Sequence, residues 1–401
     1  MSKVVIIGGG ASGMVAAIQA SIKDNEVVIL ENNDKCGKKI LLTGNGKCNY
    51  WNSDINVNNY NADNIECLND IISESNQQEV LSFLKNIGIY PKVRNGYYYP
   101  YSNQASSVRT LLLNELERRN VKIINNFKVE EVGKDNDKFV IKSANDKIVC
   151  DKVIVATGSC ACPKTGSDGS GYDLVERLGH HINLVTPSLV QLKGNETFFK
   201  DWDGVRCDSK LTLYVDNKKV KEEVGEIQLT DYGISGICTF NISGTATKNL
   251  ELNKKVSVGI NFLPSIDSFY NWFDKRNQNI KNYTIEQLLE SVIPYKLMFV
   301  LLKKANIDRN NYWDNLSELQ KRNLVNVIEN FELEITGYHS FDRAQVATGG
   351  VSLNGVDSKT MESKFVPGLY LVGELLDVDG KCGGFNLAFA FISGYLAGRG
   401  V

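Results

Sequence analysis

The run Lys3-Val4-Val5-Ile6-Ile7-Gly8-Gly9-Gly10-Ala11-Ser12-Gly13 constrains the fold of this chain more than any other segment. Four consecutive β-branched residues without polar alternation read as a strand buried on both faces, the pattern of a parallel sheet. The Ala-containing stretch Met14 to Ser21 suits a helix, and Val27-Val28-Ile29-Leu30 reads as a second buried strand ending in Glu31. The glycines between strand and helix form G-x-G-x-x-G. Gly8 permits the tight turn, Gly10 lets backbone N–H groups approach a pyrophosphate, and Gly13 lets helix and strand pack closely. Glu31 lies 23 residues after Gly8, where an acid accepts hydrogen bonds from ribose hydroxyls and repels a 2′-phosphate. Strand, glycine turn, helix, strand and acid form the first βαβ unit of a doubly wound, dinucleotide-binding α/β domain.

Composition narrows the class. With 45 Lys+Arg against 47 Asp+Glu, the formal net charge is −2, which provides no long-range attraction for nucleic acid or an anionic membrane. Glycines interrupt the first apolar run after Ile7, too soon for a signal peptide. No run approaches the roughly 18 apolar residues of a membrane span. Nine scattered cysteines, an odd number, suggest reduced thiols rather than a disulfide framework. The expectation is a soluble, cytoplasmic protein with a small-molecule substrate and no nucleic-acid or membrane partner.

The 401 residues are long enough for two or three domains. Residues 76–87 and 104–119 carry helical spacing. Residues 121–129, 139–141 and 148–156 read as strands, with a turn at Gly133 to Asn136. The character changes at Pro187. The expected organisation is the first part of a nucleotide-binding domain over 1–187, an inserted antiparallel β module over 188–264 and an inserted helical module over 265–330. A return segment then spans 331–340, and 341–401 form the second part of the nucleotide-binding domain. The fold class is thus a Rossmann-type α/β domain with a parallel central sheet, interrupted by a β-barrel-like plus helical substrate domain.

Two further constellations extend the reading. Gly368 to Val372 is a buried strand running into Gly373-Glu374, followed by Asp379 and then Gly383-Gly384-Phe385-Asn386-Leu387 at the start of an Ala-rich helix. Simple NAD binding does not need a second glycine-led helix start, whereas a flavin uses one to stabilise negative charge. Val153 to Val155 is a buried strand ending in Ala156-Thr157-Gly158, whose small residues let the chain turn beneath a bound dinucleotide. Gly44-Asn45-Gly46-Lys47-Cys48-Asn49 is a polar, positively charged loop that suits a flavin edge, a phosphate or a plain surface turn. Cys160-Ala161-Cys162 with His180-His181 lacks the paired spacing of a metal centre, so no metal is expected. His339 reads either as a hydrogen-bonded structural histidine or as a proton donor to a substrate. No second G-x-G-x-x-G opens a helix after a strand, so a dedicated nicotinamide domain is not expected.

Taken together, Gly8 to Gly13, Gly37 to Asn49, Ala156 to Gly158, Pro163 to Gly166, Tyr232 to Gly236, Ala347 to Val351 and Gly368 to Gly398 resemble the YhiN/BaiN-like flavoproteins. That family lies in the two-dinucleotide-binding flavoprotein superfamily. The resemblance spans nearly the whole chain and implies noncovalently bound FAD. Carried over by position, Gly8, Gly10, Ala11, Ser12 and Gly13 form the pyrophosphate turn, and Glu31 meets the adenosine ribose. Asn32 and Lys38 line the cofactor path, and Gly44, Lys47, Cys48 and Asn49 the flavin side. Val129, taken as part of a strand, meets adenine through its backbone, while Ala156, Thr157 and Gly158 pass beneath the diphosphate. Gly373, Glu374 and Asp379 hold ribityl and phosphate hydroxyls. Gly384 opens the second helix, whose Asn386 and Leu387 approach the flavin pyrimidine. Lys47 is the one candidate for a catalytic contribution, by offsetting flavin charge.

The chain departs from the family pattern at Ala11, at Lys47, at Ser159 to Cys162 and at Ile237. The last two put the substrate, not the cofactor, in question. The resemblance implies an FAD-dependent oxidoreductase in which NADH or NADPH is a transient reductant and the substrate is a conjugated enone, bile-acid-like in relatives. Amine or aminoketone oxidation with O2, and a noncatalytic FAD-binding accessory role, are the alternatives.

Overall fold

The computed structural model describes residues 2–401. The chain forms two compact units, Met1–Thr186 with Gln345–Val401, and Pro187–Ala344.

The first unit is organised on a five-stranded parallel sheet of β1 (Lys3–Ile7), β2 (Glu26–Leu30), β3 (Lys122–Ile124), β4 (Lys152–Val155) and β5 (Leu369–Leu371). Its order is β3-β2-β1-β4-β5, the doubly wound order with a switch point between β1 and β4. Val4, Val5 and Ile6 are fully buried, as the uninterrupted β-branched run requires. Helix α1 (Ala11–Ala20) is buried from Ser12 to Ala20, because the terminal helix α2 (Phe385–Gly400) also packs on it. Their backbones nearly touch. A Cβ on Gly394 would lie 2.3 Å from the Ser12 carbonyl oxygen, and one on Gly398 2.4 Å from that of Ala16.

The helices at Glu74–Asn86 and Ala105–Arg118 follow the apolar spacing. Two strand expectations shift. The 148–156 run divides into Lys147–Cys150, in a three-stranded antiparallel sheet, and β4 of the parallel sheet. The expected turn residues Gly133 to Asp135 lie in a strand (Glu131–Asp135), and the chain reverses one step later, where Asn136 takes the left-handed conformation at φ 53°. Asn and Asp tolerate that region better than most residues.

The second unit carries a seven-stranded sheet. Its order is Phe331–Ile335, Val256–Asn261, Arg206–Val215, Lys218–Thr230, Gly233–Ser235, Leu192–Lys193 and Gly337–Tyr338, with every pairing antiparallel. The first and last strands of that order are consecutive in the chain, and between them Thr336 donates its N–H to the Lys193 carbonyl at 2.9 Å.

Three features differ from expectation. Ile237–Glu251, inside the expected β module, is a helix; its β-branched residues favour a strand locally, but the buried set Cys238, Thr239, Ile242, Ser243 and Ala246 has helical spacing. The expected β and helical modules are one body. Leu288, Leu297, Leu301 and Trp313 share a core with Leu211, Leu213 and Val258 of the sheet. Phe331–Ile335 is an edge-to-edge partner of Val256–Asn261, not a return segment.

Candidate functional site: a dinucleotide cradle at the switch point

Ligands of doubly wound sheets bind outside the carboxyl ends of the strands at the switch point. Here Gly8 to Gly13 follow β1 and Ala156 to Gly158 follow β4, and both segments line one cleft. It encloses about 1270 Å³ of atom-free space, its open mouth included.

The pyrophosphate turn is shaped by contact. Gly8 sits at φ 102°, where a Cβ would be 2.4 Å from the Ala156 carbonyl oxygen, and a Cβ on Gly13 would be 2.0 Å from that of Gly8. Gly10 faces open space. Helix α1 begins with no side-chain cap and no acid in its first turn. Among the described residues, the N–H groups of Gly10, Ala11 and Ser12 find no acceptor in the chain. Unsatisfied donors at the positive end of a helix dipole favour an anion.

Glu31 is 7% exposed. Its Oε2 accepts the Gly9 N–H at 2.8 Å, and its Oε1 accepts both the N–H and the side-chain amide of Asn33 at 2.8 Å. The carboxylate is thereby fixed beside the phosphate turn with acceptor capacity left over. Lys38 donates to Asn33 Oδ1 at 3.1 Å and pairs with Asp34 at 2.7 Å, holding the Asp34 carboxyl below its usual range. Val129 lies in a loop rather than the expected strand. Among the described residues neither its N–H nor its C=O has a backbone partner, which leaves both for the edge of a base. Thr157 carries a buried Oγ1 without a partner.

At the other wall Glu374 is held by three donors. Its Oε1 accepts from Ser159 Oγ at 2.8 Å and from the Ala347 N–H at 3.1 Å, while Oε2 pairs with Lys39 Nζ at 2.6 Å. Lys39 also donates to the Ala161 carbonyl at 3.1 Å. Asn386 clamps Gly380 from both sides, accepting its N–H and donating to its carbonyl, each at 2.8 Å. Asn32, Lys38, Val129, Gly158 and Leu387 complete the set of sequence-predicted residues that line the cleft together with those above.

Other predicted residues stand outside that lining. Gly13 and Gly384 are packing positions; a Cβ on Gly384 would sit 2.5 Å from the Trp51 carbonyl. The Gly373 N–H donates to Ser393 Oγ at 3.0 Å. Asp379 is buried in the short strand Val378–Gly380, where its Oδ2 accepts from Asn61 at 3.1 Å. The 44–49 loop folds on itself. Lys47 is exposed, with its N–H donating to the Gly44 carbonyl at 3.1 Å, and Gly44 is exposed beside it. Cys48 is fully buried, and burial pushes its thiol up to about 11. The Asn49 amide faces the Trp51 and Tyr98 carbonyls and ties the loop down. Lys47 is not among the residues that line the cleft.

Sequence reasoning passed over Asn33, Lys39, Phe127 and Lys128, and took Ser159 only as part of a departure from the family pattern. Lys39 lies inside the Gly37 to Asn49 run, but nothing local distinguishes it from Lys38. Cys36 lies just before that run; its buried Sγ would be 2.3 Å from a Cβ on Gly9, and burial, then the Glu31 charge, pushes the thiol up to about 12. It packs under the turn rather than serving as a nucleophile. Among the described residues all nine cysteines are free, and no group of three or more His, Cys, Asp or Glu is placed to hold a metal ion. No described helix is long and apolar enough to cross a membrane.

The chain matches the HI0933-like protein Rossmann-domain family over residues 2–400. It belongs to that family. Among curated proteins, it is 40% identical to the 3-dehydro-bile acid delta(4,6)-reductase of Clostridium scindens, over 100% of this chain and 98% of that protein. It is 28% identical to the ribosomal RNA dihydrouridine synthase of Haemophilus influenzae, over 98% of this chain and 97% of that one. Among solved structures, the open conformation of a flavocytochrome c3 fumarate reductase superposes with a TM-score of 0.50 at 13% identity, over 100% of this chain and 78% of that chain. That last likeness is one of fold. The family match agrees with the flavoprotein resemblance drawn from the motifs, and the cradle suits FAD: free amides for the pyrophosphate, Glu31 for the ribose and the open Val129 backbone for adenine.

Proposed function

We propose that this FAD-dependent oxidoreductase moves a hydride from NADH or NADPH to a carbon–carbon double bond conjugated with a carbonyl, in a substrate of bile-acid type. FAD supplies the two-electron chemistry that no side chain offers. The chain's own residues bind and orient it. The amides of Gly10 to Ser12 take the pyrophosphate, Glu31 takes the ribose, and the Val129 backbone takes adenine. Lys39 and Glu374 hold each other across the cleft, so neither brings an unpaired charge to the cofactor. The observation that carries the cofactor assignment is the switch-point cradle with its unsatisfied donors. The substrate class is supported by the reductase relative at 40% identity over the whole chain. The second unit, whose sheet ends meet in one run of chain at 331–338, suits the barrel-like substrate domain expected from the sequence.

The absence of a second glycine fingerprint implies that the nicotinamide visits transiently. Anaerobic titration of the FAD-loaded protein with NADH and then NADPH tests this. Stoichiometric bleaching of the flavin band, followed by recolouring with a 3-oxo-Δ4 or Δ4,6 steroid acid, is expected. No bleaching by either nucleotide overturns the proposal. Peroxide release with an amine alone would place the chain among oxidases instead.

A second reading is favoured by the 28% identical relative, whose name describes reduction of a uridine base in ribosomal RNA. A uracil ring also presents a double bond conjugated with a carbonyl, so one chemistry could serve either substrate. The net charge of −2 weighs against a polyanionic partner. Recolouring by RNA and not by steroid enones would select this second reading.

A further inference from the structure

The helical side of the first unit holds a groove apart from the cradle. It opens between the last turn of α1, helix Glu74–Asn86, the end of helix Ala105–Arg118 and α2. The groove encloses about 1330 Å³ of atom-free space, its open mouth included. Gln19 lines it, about 10 Å along α1 from Ser12 and the pyrophosphate turn. No residue of the groove lines the cradle, and the proposed chemistry uses none of them.

A buried acid organises the polar side. Glu115 is 8% exposed and lines the groove beside Arg118 and Arg119. Its Oε2 accepts from Arg118 Nε and its Oε1 from Arg118 Nη2, both at 2.7 Å. Oε1 also accepts from Arg119 Nε at 2.6 Å. The carboxylate fixes both guanidinium groups without using them up, since each has five N–H donors. Among the described residues, both terminal nitrogens of Arg119 and Nη1 of Arg118 have no acceptor. Arg119 is the more sheltered of the two, with 24% of its side chain exposed against 66% for Arg118. Glu79, the other acid of the lining, is paired with Arg399. Three guanidinium groups thus face two carboxylates, and one positive charge is left in excess.

Gln19 is a second and independent sign of a ligand. It is 5% exposed, and among the described residues its side-chain amide has no hydrogen-bond partner. Buried amides are ordinarily paired, because an unpaired one forfeits its hydration with nothing in return. The groove also has an apolar side. Ile22 is exposed there, and the Phe83 and Tyr395 rings meet with centroids 5.6 Å apart.

We propose that this groove binds a small molecule that carries a carboxylate or a phosphate on an apolar body. Arg119, steadied by Glu115, is the main donor to the anion, and the Gln19 amide donates beside it. Ile22, Phe83 and Tyr395 cover the body. A guanidinium already held in place loses little freedom on binding, and its planar fork matches two oxygens of either anion.

Calorimetric titration of the FAD-loaded protein, whose cradle is then filled, tests this with 4-phenylbutyrate, phenyl phosphate and the uncharged 4-phenylbutan-1-ol. At least one anion is expected to bind about tenfold more tightly than the alcohol, and the tighter of the two tells a carboxylate ligand from a phosphate one. Arg119→Met leaves the Arg118–Glu115 pair in place and should weaken the anion about tenfold, to the level of the alcohol. Arg119→Lys, which keeps the charge and loses the fork, should recover part of that. Gln19→Leu removes the unpaired amide at nearly constant volume. It should weaken the anion about fivefold with a urea midpoint unchanged or raised; a lowered midpoint with the affinity intact would make Gln19 a packing residue and overturn its role. Absence of binding by both anions at millimolar concentration, or an affinity unaltered in Arg119→Met, overturns the site.

Discussion

Glu31 has about four acceptor sites on its carboxylate, and the fold uses three, for the Gly9 N–H and two donors of Asn33. Exchanging it for glutamine turns one acceptor into a donor within a cluster of N–H groups. Glu31→Gln is therefore expected to weaken FAD binding by roughly 10–100-fold, the loss of a charged hydrogen bond of about 1.5–3 kcal/mol. Titration of the apoprotein with FAD measures it. Lys39→Met leaves Glu374, 17% exposed at its side chain, without its cation. Discounted for partial solvent screening, that costs about 1–2 kcal/mol, seen as a lower urea midpoint, and FAD release should quicken. His180 is a pH-sensitive element of the scaffold. It is 2% exposed, and its Nε2 lies 2.8 Å from Ser363 Oγ. That oxygen already accepts the Phe365 and Val366 N–H groups, so its proton goes to the ring, which burial holds neutral by lowering its pKa. The unfolded chain takes up a proton near pH 6.5 that the native chain refuses. Stability is thus complete above roughly that pH and declines as pH falls below it. His180→Gln should be less stable at neutral pH yet show a shallower decline towards about pH 5; equal slopes in urea titrations would contradict this.

At the scale of elements, the closest contact is that of α1 with α2. A Cβ on Gly398 would meet the Ala16 carbonyl at 2.4 Å and Gln19 Cβ at 2.5 Å, both inflexible neighbours. Gly398→Ala is expected to cost about 1–3 kcal/mol by overpacking and to lower FAD affinity, since α1 carries the pyrophosphate amides; melting curves with and without FAD separate the two effects. This contact explains what could be read from the chain and what could not. The first βαβ unit was legible because its turn, strand and helix signals lie within 31 residues and agree with one another. The packing role of the glycines at 394 and 398 could not be read from the chain, because their partner carbonyls, on Ser12 and Ala16, lie at the opposite end of the sequence. The helix Ile237–Glu251 was hidden by β-branched residues whose helical burial depends on a sheet formed elsewhere. Lys39 and Glu374 meet across 335 residues, so the salt bridge that fixes Glu374 in the cleft leaves no local trace in the sequence. The 44–49 loop, expected on the flavin side, bonds to its own backbone outside the cleft lining, and a charged, glycine-rich loop looks the same in sequence whether it faces a ligand or closes on itself.

The whole molecule has two cores. Val5, Ile154 and Phe391 belong to one, and Leu211, Phe273 and Trp313 to the other. Scanning calorimetry is expected to show two transitions, of which FAD raises only the one belonging to the unit that contains the cradle, by an amount that grows with the logarithm of free FAD. A single transition shifted as a whole would mean that the units unfold together. The cradle unit is also assembled from two stretches of chain, Met1–Thr186 and Gln345–Val401, with the other unit between them. On the ribosome, everything from 187 to 344 is polymerised before Glu374 and α2 exist. The glycine turn and its first helix emerge early, with the surface that α2 will cover still bare, and must wait for it. Cofactor capture is for that reason a late event in the life of each new molecule, and supply of FAD to the cell can influence how many nascent chains reach maturity.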